Sequence, residues 1–186
     1  STTGGAIAHN STDRCYDMSC GTTSGNFAIA QTKAYWRYQA GKSQLTKQSF
    51  VLGAGATGKT KRLGYFDAAD GIFLEQANTT LNLVIRFNSS DTSVSQNSWN
   101  GDKLDGTGLS GKTLDVTKSQ LMYVFFQWLG VGPVKIGFFI DDELIIAHTF
   151  YHANVLATVY MASGSLPLRY EIRNTATSTD TTMKFI

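Results

Sequence analysis

Apolar residues in this chain come in short runs without helical spacing, most clearly between residues 123 and 173. This segment reads YVFFQWLGVGPVKIGFFIDDELIIAHTFYHANVLATVYMASGSLPLRYEIR. Its runs of Val, Ile, Phe and Tyr are about five to nine residues long and are bounded by Gly, Pro, Asp and Asn, which is typical of β-strands joined by turns. Asp141-Asp142 lies between two such runs and predicts a hairpin turn, because Asp tolerates the left-handed conformations that two-residue turns require.

Similar strand-like runs follow one another from Phe27 onward, reading KAYWRYQ, SFVL, RLGYFD, GIFLEQ and TLNLVIRF, and the chain closes with LPLRYEIR and TMKFI. Asp70-Gly71 predicts a second hairpin turn. Alternation in LNLVIRF indicates a half-buried strand with four apolar side chains on one face: Leu81, Leu83, Ile85 and Phe87.

Ten or so short strands, scarcely a helix and no strand–helix–strand rhythm predict an all-β fold, an antiparallel two-sheet sandwich of jelly-roll type. A closed barrel and another kind of two-sheet sandwich are the alternatives. We expect large apolar and aromatic side chains to form its core, namely Phe66, Phe73, Leu83, Ile85, Phe125, Trp128, Ile136, Phe138, Ile140, Ile146, Tyr160 and Tyr170.

The first 26 residues are rich in Ser, Thr, Gly and Asn and have almost no apolar periodicity. Such a segment cannot bury enough surface to offset its ordering entropy by itself. We therefore expect residues 1–26 to form an extended N-terminal arm with few intrachain contacts, lying on a neighbouring subunit with Ile7 as its main buried apolar anchor. Residues 27–186 are then the β-sandwich domain.

Composition and charge restrict the classes of function. A chain of 186 residues with 42% hydrophobic content is typical of one globular domain. The net charge is only +2 and the basic residues are dispersed, so we expect no nucleic-acid partner. No run approaches the ~20 apolar residues that span a bilayer, so we expect no membrane partner. Cys15 and Cys20 lack companion histidines for zinc, which leaves a local disulfide and two free thiols as alternatives.

Residues 53–60 read GAGATGKT and match the phosphate-binding loop pattern. That loop requires a strand before it and a helix after it, whose N-terminus faces the phosphates. Here the loop is followed by KRLG and the strand-like run YFD, so no helix can form. We interpret the match as a Gly-rich loop between strands and expect no bound nucleotide.

Other candidate groups give no catalytic or metal site. His148 and His152 are four residues apart, which on a strand separates them by about 13 Å, too far to share one ion. The acidic residues 141–143 form a turn tip with too few oxygen ligands for calcium. The sequence contains no nucleophile–base set in a credible context. We therefore predict a non-enzymatic protein without metal or other cofactor.

A long polar loop, residues 88–113, contains a single large apolar residue, Trp99. Loops of this length in a compact domain are usually functional or mobile. Trp99, with Asp102 and Asp105 beside it, is a candidate glycan contact, because sandwich folds commonly present aromatic rings and polar side chains to sugars. Trp36 is a weaker candidate.

Five segments, in the same order, resemble a β-rich domain family found in virion structural proteins of large DNA viruses and marine tailed phages. They span about Tyr35 to Ile172 and read RYQAGKS, LGYFDAADGIFLE, NSWNGDKLDGTGLSGKTLDVTKSQ, QWLGVGPVKIGFFIDDELIIAHTFYHAN and VYMASGSLPLRYEI. The chain departs from the family pattern at Pro133, where a basic residue is common, and at Asp142, where Gly is common.

This resemblance implies a structural component of a virion and transfers no catalytic residue. We expect a non-enzymatic capsid, capsid-associated or fibre protein, located in the virion and contacting further copies of itself and other virion proteins. A carbohydrate-binding or adhesion module that grips a host surface glycan is the alternative function.

Overall fold

The computed structural model describes residues 1–128 and 132–186, which form two packed β-sheets. The Gly-containing turn predicted after the run YVFFQW includes residues 129–131 and lies outside the described residues. The described part contains one 3-10 turn at Gln96–Ser98 and no α-helix. Its strands are β1 (Thr2–Thr3), β2 (Ala6–Asn10), β3 (Cys15–Ser19), β4 (Phe27–Gln31), β5 (Gln44–Val51), β6 (Lys59–Phe66), β7 (Gly71–Ala77), β8 (Thr80–Phe87), β9 (Ser90–Ser95), β10 (Gln120–Phe126), β11 (Val134–Ile140), β12 (Glu143–Phe150), β13 (Leu168–Asn174) and β14 (Thr182–Phe185).

Each sheet has seven antiparallel strands. The first sheet has the order β1-β4-β13-β6-β7-β8-β9 and the second has the order β12-β11-β10-β5-β14-β3-β2. Chain neighbours β5 and β6 lie in different sheets, so the chain crosses between the layers rather than following one sheet. The predicted all-β, antiparallel two-sheet sandwich of jelly-roll type is confirmed.

Alternation along the strands places the core between the sheets. Phe50, Leu63, Tyr65, Val124 and Phe138 point inward and are almost completely buried. Removing large apolar side chains from water is the main favourable contribution to folding, at about 25 cal/mol per Å². The predicted core is confirmed for Leu83, Ile85, Ile136, Phe138 and Tyr160, which are buried between the sheets. Phe66 and Phe73 are fully buried as well, but in a separate cluster on the outer face of the first sheet. Trp128, Ile140 and Tyr170 are partly buried against this core.

Two further predicted core residues, Phe125 and Ile146, lie on the outer face of the second sheet. In β10, Val124 and Phe126 point inward, so Phe125 between them points away from the first sheet and is only half-buried. In β12, Ile145 occupies the inward position that the sequence analysis gave to Ile146. Because the side-chain period of a strand is two, an error of one residue in register moves a side chain to the opposite face.

The predicted hairpin turns are confirmed. Asp141 and Asp142 have positive φ angles of 51° and 63°, and they join Ile140 to Glu143. Both φ values belong to the left-handed region that two-residue turns of this kind need. The turn at Asp70-Gly71 begins at Asp67, whose carboxylate accepts hydrogen bonds from the backbone N–H groups of residues 69 and 70.

Two sequence interpretations of local structure are wrong. KAYWRYQ is not a strand, and Trp36 forms only an isolated bridge with Leu166. Ser90–Ser95, interpreted as loop, is the edge strand β9 and pairs with β8. Its composition gave no strand signal because an exposed edge strand needs few apolar side chains, and here Val94 alone packs against the core.

The interpretation of residues 1–26 as an arm outside the domain is also wrong. The segment forms β1, which pairs with β4, and β3, which pairs with β14. Met18 and Cys20 are fully buried, whereas Ile7, the expected anchor, is only partly buried. Strand pairing satisfies the polar backbone of this segment, and its few apolar side chains enter a core that the rest of the chain supplies. Cys15 and Cys20 are buried free thiols.

The described part of the chain contains no helix with the length and apolar character needed to cross a lipid bilayer.

Integration of the N-terminal segment makes a prediction about stability. Met18→Ala should lower the free energy of unfolding by about 2–4 kcal/mol, because it leaves a cavity in the core. Ile7→Ala, in the neighbouring strand, should cost less than about 1 kcal/mol, since its side chain is partly exposed. Urea denaturation of both variants measures the difference. Equal small losses for the two variants would contradict the assignment of this segment to the core.

Candidate functional site

A groove lies beside β5, where the second sheet is incompletely paired. β10 pairs with β5 along Gln44–Phe50, but β14 pairs only with Phe50 and Val51. Two cavities of about 370 and 450 Å³ open along this edge, and Lys47 and Leu168 line both of them. We call the combined space the β5 groove. Its combined size suits an extended ligand of several small rings.

An exposed aromatic residue, Trp36, lines the first cavity with a side chain that is 52% exposed. The backbone of Trp36 is fixed, because its N–H donates to the Leu166 carbonyl oxygen at 3.0 Å. Its own carbonyl oxygen lies 2.8 Å from the hydroxyl of the buried Tyr65. The backbone of this segment is thus already ordered, so the exposed indole can stack on a ligand without rearrangement of the chain.

Tyr38 ties the same segment to the sandwich from the other side. Its N–H donates to Ser165 Oγ at 3.1 Å, and its hydroxyl accepts a hydrogen bond from the Trp128 N–H at 3.1 Å. The Tyr38 and Trp128 rings meet edge to face with centroids 5.5 Å apart. The irregular segment that carries Trp36 is therefore positioned by packed aromatic side chains and not by a strand.

Buried polar side chains without partners point from β5 to the groove. Thr46, which lines the first cavity, is 8% exposed, and its hydroxyl has no hydrogen-bond partner. Gln48, which lines the second cavity, is 4% exposed, and neither its amide nitrogen nor its amide oxygen has a partner. Leaving such groups unsatisfied costs about 1–3 kcal/mol each, so each needs an explanation such as a ligand.

An aromatic stack forms a wall of the second cavity. Phe185 stacks between Tyr16 and Tyr170, with ring centroids 5.3 and 4.6 Å apart. Burial raises the pKa of Tyr170 to about 12, so its hydroxyl stays protonated and donates to the Ser49 carbonyl oxygen at 3.0 Å. The Gln48 amide nitrogen lies near enough to interact with the oxygen of this hydroxyl, although outside normal hydrogen-bond geometry. Since the hydroxyl oxygen can accept while its proton is directed at Ser49, the Gln48 amide oxygen is the atom that most needs another partner.

The β5 groove combines what sugar binding requires, namely ring faces for the apolar faces of a sugar, with amide and hydroxyl groups for its alcohols. Among the described residues that line the two cavities, there is no Asp or Glu side chain.

Trp99, the first sequence candidate for glycan contact, lies in the core with 3% of its side chain exposed. Its indole N–H donates to the Val94 carbonyl oxygen at 3.1 Å, and its ring stacks near Phe138 with centroids 6.2 Å apart. The next residue, Asn100, exchanges two hydrogen bonds of 2.8 Å with the backbone of Thr149 in β12. Trp99 thus closes one side of the sandwich and presents no ring face to a sugar.

Asp102 and Asp105 shape the same loop. Asp102 is buried, and its carboxylate accepts backbone hydrogen bonds from Leu104 at 2.8 Å and from Ser110 at 2.7 Å. Burial alone would raise the pKa of Asp102, but these hydrogen bonds outweigh burial and hold the pKa below its usual range. Asp105 is exposed and accepts a hydrogen bond from the N–H of Thr107 at 2.8 Å. Neither residue lines the β5 groove.

The histidines have separate structural roles, as their spacing predicts. His148 Nδ1 accepts a hydrogen bond from the Asn100 N–H at 3.1 Å, and His152 Nδ1 lies 2.7 Å from the Gly132 carbonyl oxygen. His152 also stacks on Tyr160 with centroids 4.0 Å apart. Burial lowers the pKa of both histidines. The described residues contain no group of metal-ligating side chains.

The phosphate-loop match leads into a strand, as its sequence context predicts, because Lys59 and Thr60 begin β6. The Lys59 ammonium is buried and contacts Cys20 Sγ at 3.3 Å and Asp180 at 3.7 Å. Two residues on, the buried Lys61 ammonium donates to the carbonyl oxygens of Leu52, Ala54 and Thr182. Burial, together with the charge of Lys59, lowers the pKa of Lys61 to about 8. These lysines hold the two sheets and the loop together and do not face a phosphate site.

The outer face of the first sheet carries a set of charges that we call the arginine face, consisting of Arg62, Arg86, Arg169, Arg173, Glu75, Glu171 and Asp91. Glu171 lies at its centre and pairs with three of the arginines. Beneath them, the outward-facing Phe66 and Phe73 are fully buried, with ring centroids 4.6 Å apart. The guanidinium group of Arg86 lies 4.9 Å from the Phe73 ring and that of Arg169 lies 5.2 Å from the Phe66 ring. The arginines thus cover an apolar surface, and the carboxylates between them neutralise their charges.

Glu171 does not have the properties of a catalytic acid. Burial alone would raise its pKa, but the neighbouring Arg173, Arg169 and Arg62 outweigh burial and hold the pKa below its usual range. A general acid needs a raised pKa at neutral pH. We therefore assign the arginine face a structural role.

Sequence reasoning found Trp36 and missed the rest of the groove. Thr46 and Gln48 alternate with Leu45 and Lys47 in the run QLTKQSFV, which places the polar residues on the inward face. Polar residues at inward positions of a strand are the signal that could have indicated a site. The strand predicted from the sequence begins at SFVL, so it leaves out residues 44–48 and their alternation.

The chain matches no protein-family model and no curated protein. Its fold is similar to that of endo-β-1,4-glucuronan lyase from the fungus Trichoderma reesei, with a TM-score of 0.54, 13% identity, and coverage of 98% of this chain and 85% of the lyase. It is similar to the botulinum neurotoxin serotype C1 binding domain, with a TM-score of 0.54, 13% identity, and coverage of 97% and 41%. The metal-free carbohydrate recognition domain of Emp46p gives a TM-score of 0.53, 7% identity, and coverage of 98% and 85%. At these identities the comparisons establish the fold alone.

The unpartnered amide of Gln48 makes a prediction about stability. Gln48→Leu should leave the free energy of unfolding unchanged or raise it by up to about 2 kcal/mol, because it removes a buried polar group that has no hydrogen bond. Gln76→Leu is the comparison: Gln76 is equally buried and its amide oxygen also has no partner, but its amide nitrogen donates to the Gly53 carbonyl oxygen at 3.3 Å. Loss of that hydrogen bond leaves the Gly53 carbonyl without this donor, so Gln76→Leu should be the more destabilising of the two. Urea denaturation compares the two. A loss at Gln48 as large as that at Gln76 would show that Gln48 supports the fold.

Proposed function

We propose that this protein is a non-enzymatic carbohydrate-binding module that holds a glycan in the β5 groove. The observation that carries the proposal is the presence in one groove of a solvent-exposed indole at Trp36, whose backbone is held in place, and a buried amide at Gln48, whose oxygen has no hydrogen-bond partner. Function often requires polar groups that the fold itself leaves unsatisfied, since a bound ligand then supplies their hydrogen bonds. Sugar hydroxyls are donors and acceptors of the kind that an amide needs.

The proteins with similar folds support this proposal. The Emp46p domain is a carbohydrate recognition domain, and the fungal enzyme is a lyase of a β-1,4-glucuronan. Both are therefore associated with carbohydrates, although function belongs to a site rather than to a fold. We propose binding without catalysis because no Asp or Glu side chain lines the groove among the described residues and Glu171 lies in an ion-paired cluster on the outer face.

A glycan array tests the proposal. We expect the intact protein to bind a restricted set of glycans and Trp36→Ala to weaken that binding about 5- to 30-fold, which corresponds to the loss of a stacked aromatic anchor. Tyr151→Ala is the matched control, because Tyr151 is 65% exposed and lies outside the β5 groove. Glycan binding by Tyr151→Ala should equal that by the unmodified protein.

Thermal unfolding of both variants must accompany the array, so that loss of binding is separated from loss of structure. If the protein binds no glycan in any oligomeric state, or if Trp36→Ala binds as well as the unmodified protein, the β5 groove is not a glycan site.

We further propose that this module is a component of a virus particle, in the capsid, in a capsid-bound layer or in a fibre. The five ordered segments that resemble virion structural proteins support this proposal. The two proposals are compatible, because a particle that attaches to a host glycan needs a binding module on its surface. The partners would then be other copies of the chain, other virion proteins and a host surface glycan.

Mass spectrometry of purified particles tests the location. We expect the protein in particles at many copies, with its abundance retained after repeated purification. Detection in infected-cell lysate but never in particles would contradict a structural role in the virion.

A further inference from the structure

We infer that the glycan held in the β5 groove is acidic and carries carboxylate or sulfate groups. The inference rests on the proposed function of the groove and specifies the chemical class of its ligand. It is argued from the charges that line the groove.

The described walls of the β5 groove carry basic side chains and no acidic ones. Arg37 and Lys42 line the first cavity, and Lys47 lines both cavities. All three are exposed. The other polar side chains of the walls are neutral amides and hydroxyls, so the local charge is positive although the whole chain has a net charge of only +2.

The basic side chains of the groove also have no carboxylate partners. Within residues 1–128 and 132–186, neither Arg37, Lys42 nor Lys47 forms a salt bridge with an acidic residue, and the Lys47 ammonium lies 4.7 Å from the centre of the Phe139 ring instead. On the arginine face, by contrast, all four guanidinium groups are paired with carboxylates.

This difference separates charges that complete the fold from charges that are free to meet a ligand. A concave surface lined by one sign of charge raises the local concentration of the opposite charge and speeds its association. Lys47 borders both cavities, but strand alternation directs its side chain to the outer face of the second sheet, where its ammonium lies near Phe139. Arg37 and Lys42 line the same cavity as Trp36. An acidic sugar that stacks on Trp36 would therefore place its anionic group near Arg37 or Lys42.

The experiment measures binding of three probes to the full chain. The probes are a homogalacturonan oligosaccharide, the same oligosaccharide after reduction of its carboxyl groups to alcohols, and a heparin oligosaccharide of similar length. We expect the homogalacturonan or the heparin probe to bind at low salt and to weaken as salt is raised, because exposed charges are screened. Reduction of the carboxyl groups should weaken binding about tenfold or more, as several ion pairs are lost together.

Variants assign the effect to the groove. Arg37→Ala and Lys42→Ala should each weaken binding of the acidic probe about two- to fivefold, which is the usual contribution of an exposed ion pair. Lys103→Ala is the matched control, because Lys103 is an exposed lysine in the loop near Trp99 and lines neither cavity. Its binding should be unchanged.

The outcomes distinguish this inference from the proposed function. Binding of the heparin probe alone supports an acidic ligand and identifies the anion as sulfate. If the homogalacturonan probe and its reduced form bind equally well, and Trp36→Ala loses the binding of both, the ligand is not acidic. The glycan site itself then remains in place. The acidic class of ligand is also overturned if only neutral glycans bind on the array. If no glycan shows binding that depends on Trp36, the proposed function and the inference are overturned together.

A single-stranded oligonucleotide serves as the competing anionic polymer, since bases also stack on indole rings and phosphates also pair with lysines. The inference is overturned if the oligonucleotide binds more tightly than every acidic glycan and depends on Arg37 and Lys42. We expect it to bind at least tenfold more weakly than the acidic oligosaccharide.

Discussion

The inward faces of the two sheets touch each other across a dry core, and every polar group on those faces must find its partner there. The requirement is met at most positions by backbone atoms of the opposite layer or of a crossing loop. The Tyr65 hydroxyl lies between the carbonyl oxygens of Trp36 and Gly164, and the Lys61 ammonium meets three carbonyl oxygens near the end of β5. The Trp99 indole N–H donates to the Val94 carbonyl oxygen. Since buried polar groups are costly without partners, these contacts fix how the layers and loops sit on each other.

The requirement is least well met beside β5. Among the described residues, six buried side-chain polar atoms have no hydrogen bond of normal geometry, and three of them belong to Thr46 and Gln48, which line the β5 groove. From the opposite sheet, the Tyr170 hydroxyl lies next to the Gln48 amide. A site that leaves polar groups unsatisfied reduces the stability of the free protein and increases the gain on binding. Stability and binding should therefore respond to Gln48 in opposite directions.

Charged side chains also differ in their pairing between the arginine face and the β5 groove. On the arginine face, Glu171 and its neighbours neutralise each other and cover Phe66 and Phe73, so this face is complete in itself. Beside β5, Arg37 and Lys42 line the first cavity and have no such partners among the described residues. A basic side chain that is unpaired and also lines a groove is available to an anion.

The sequence by itself determined the all-β sandwich, its main hairpin turns and most of its core, because these depend on local alternation and on turn chemistry within a few residues. It also excluded a phosphate-binding loop at residues 53–60, since the next residues cannot form a helix. Tertiary structure alone decided which layer each strand joins and where the irregular segments lie. It placed residues 1–26 in both sheets and buried Trp99, because a neighbouring strand or sheet supplied partners that the local sequence does not contain. It exposed Trp36 for the same reason, since Tyr65 and Leu166, distant in sequence, hold its backbone at the rim of the groove.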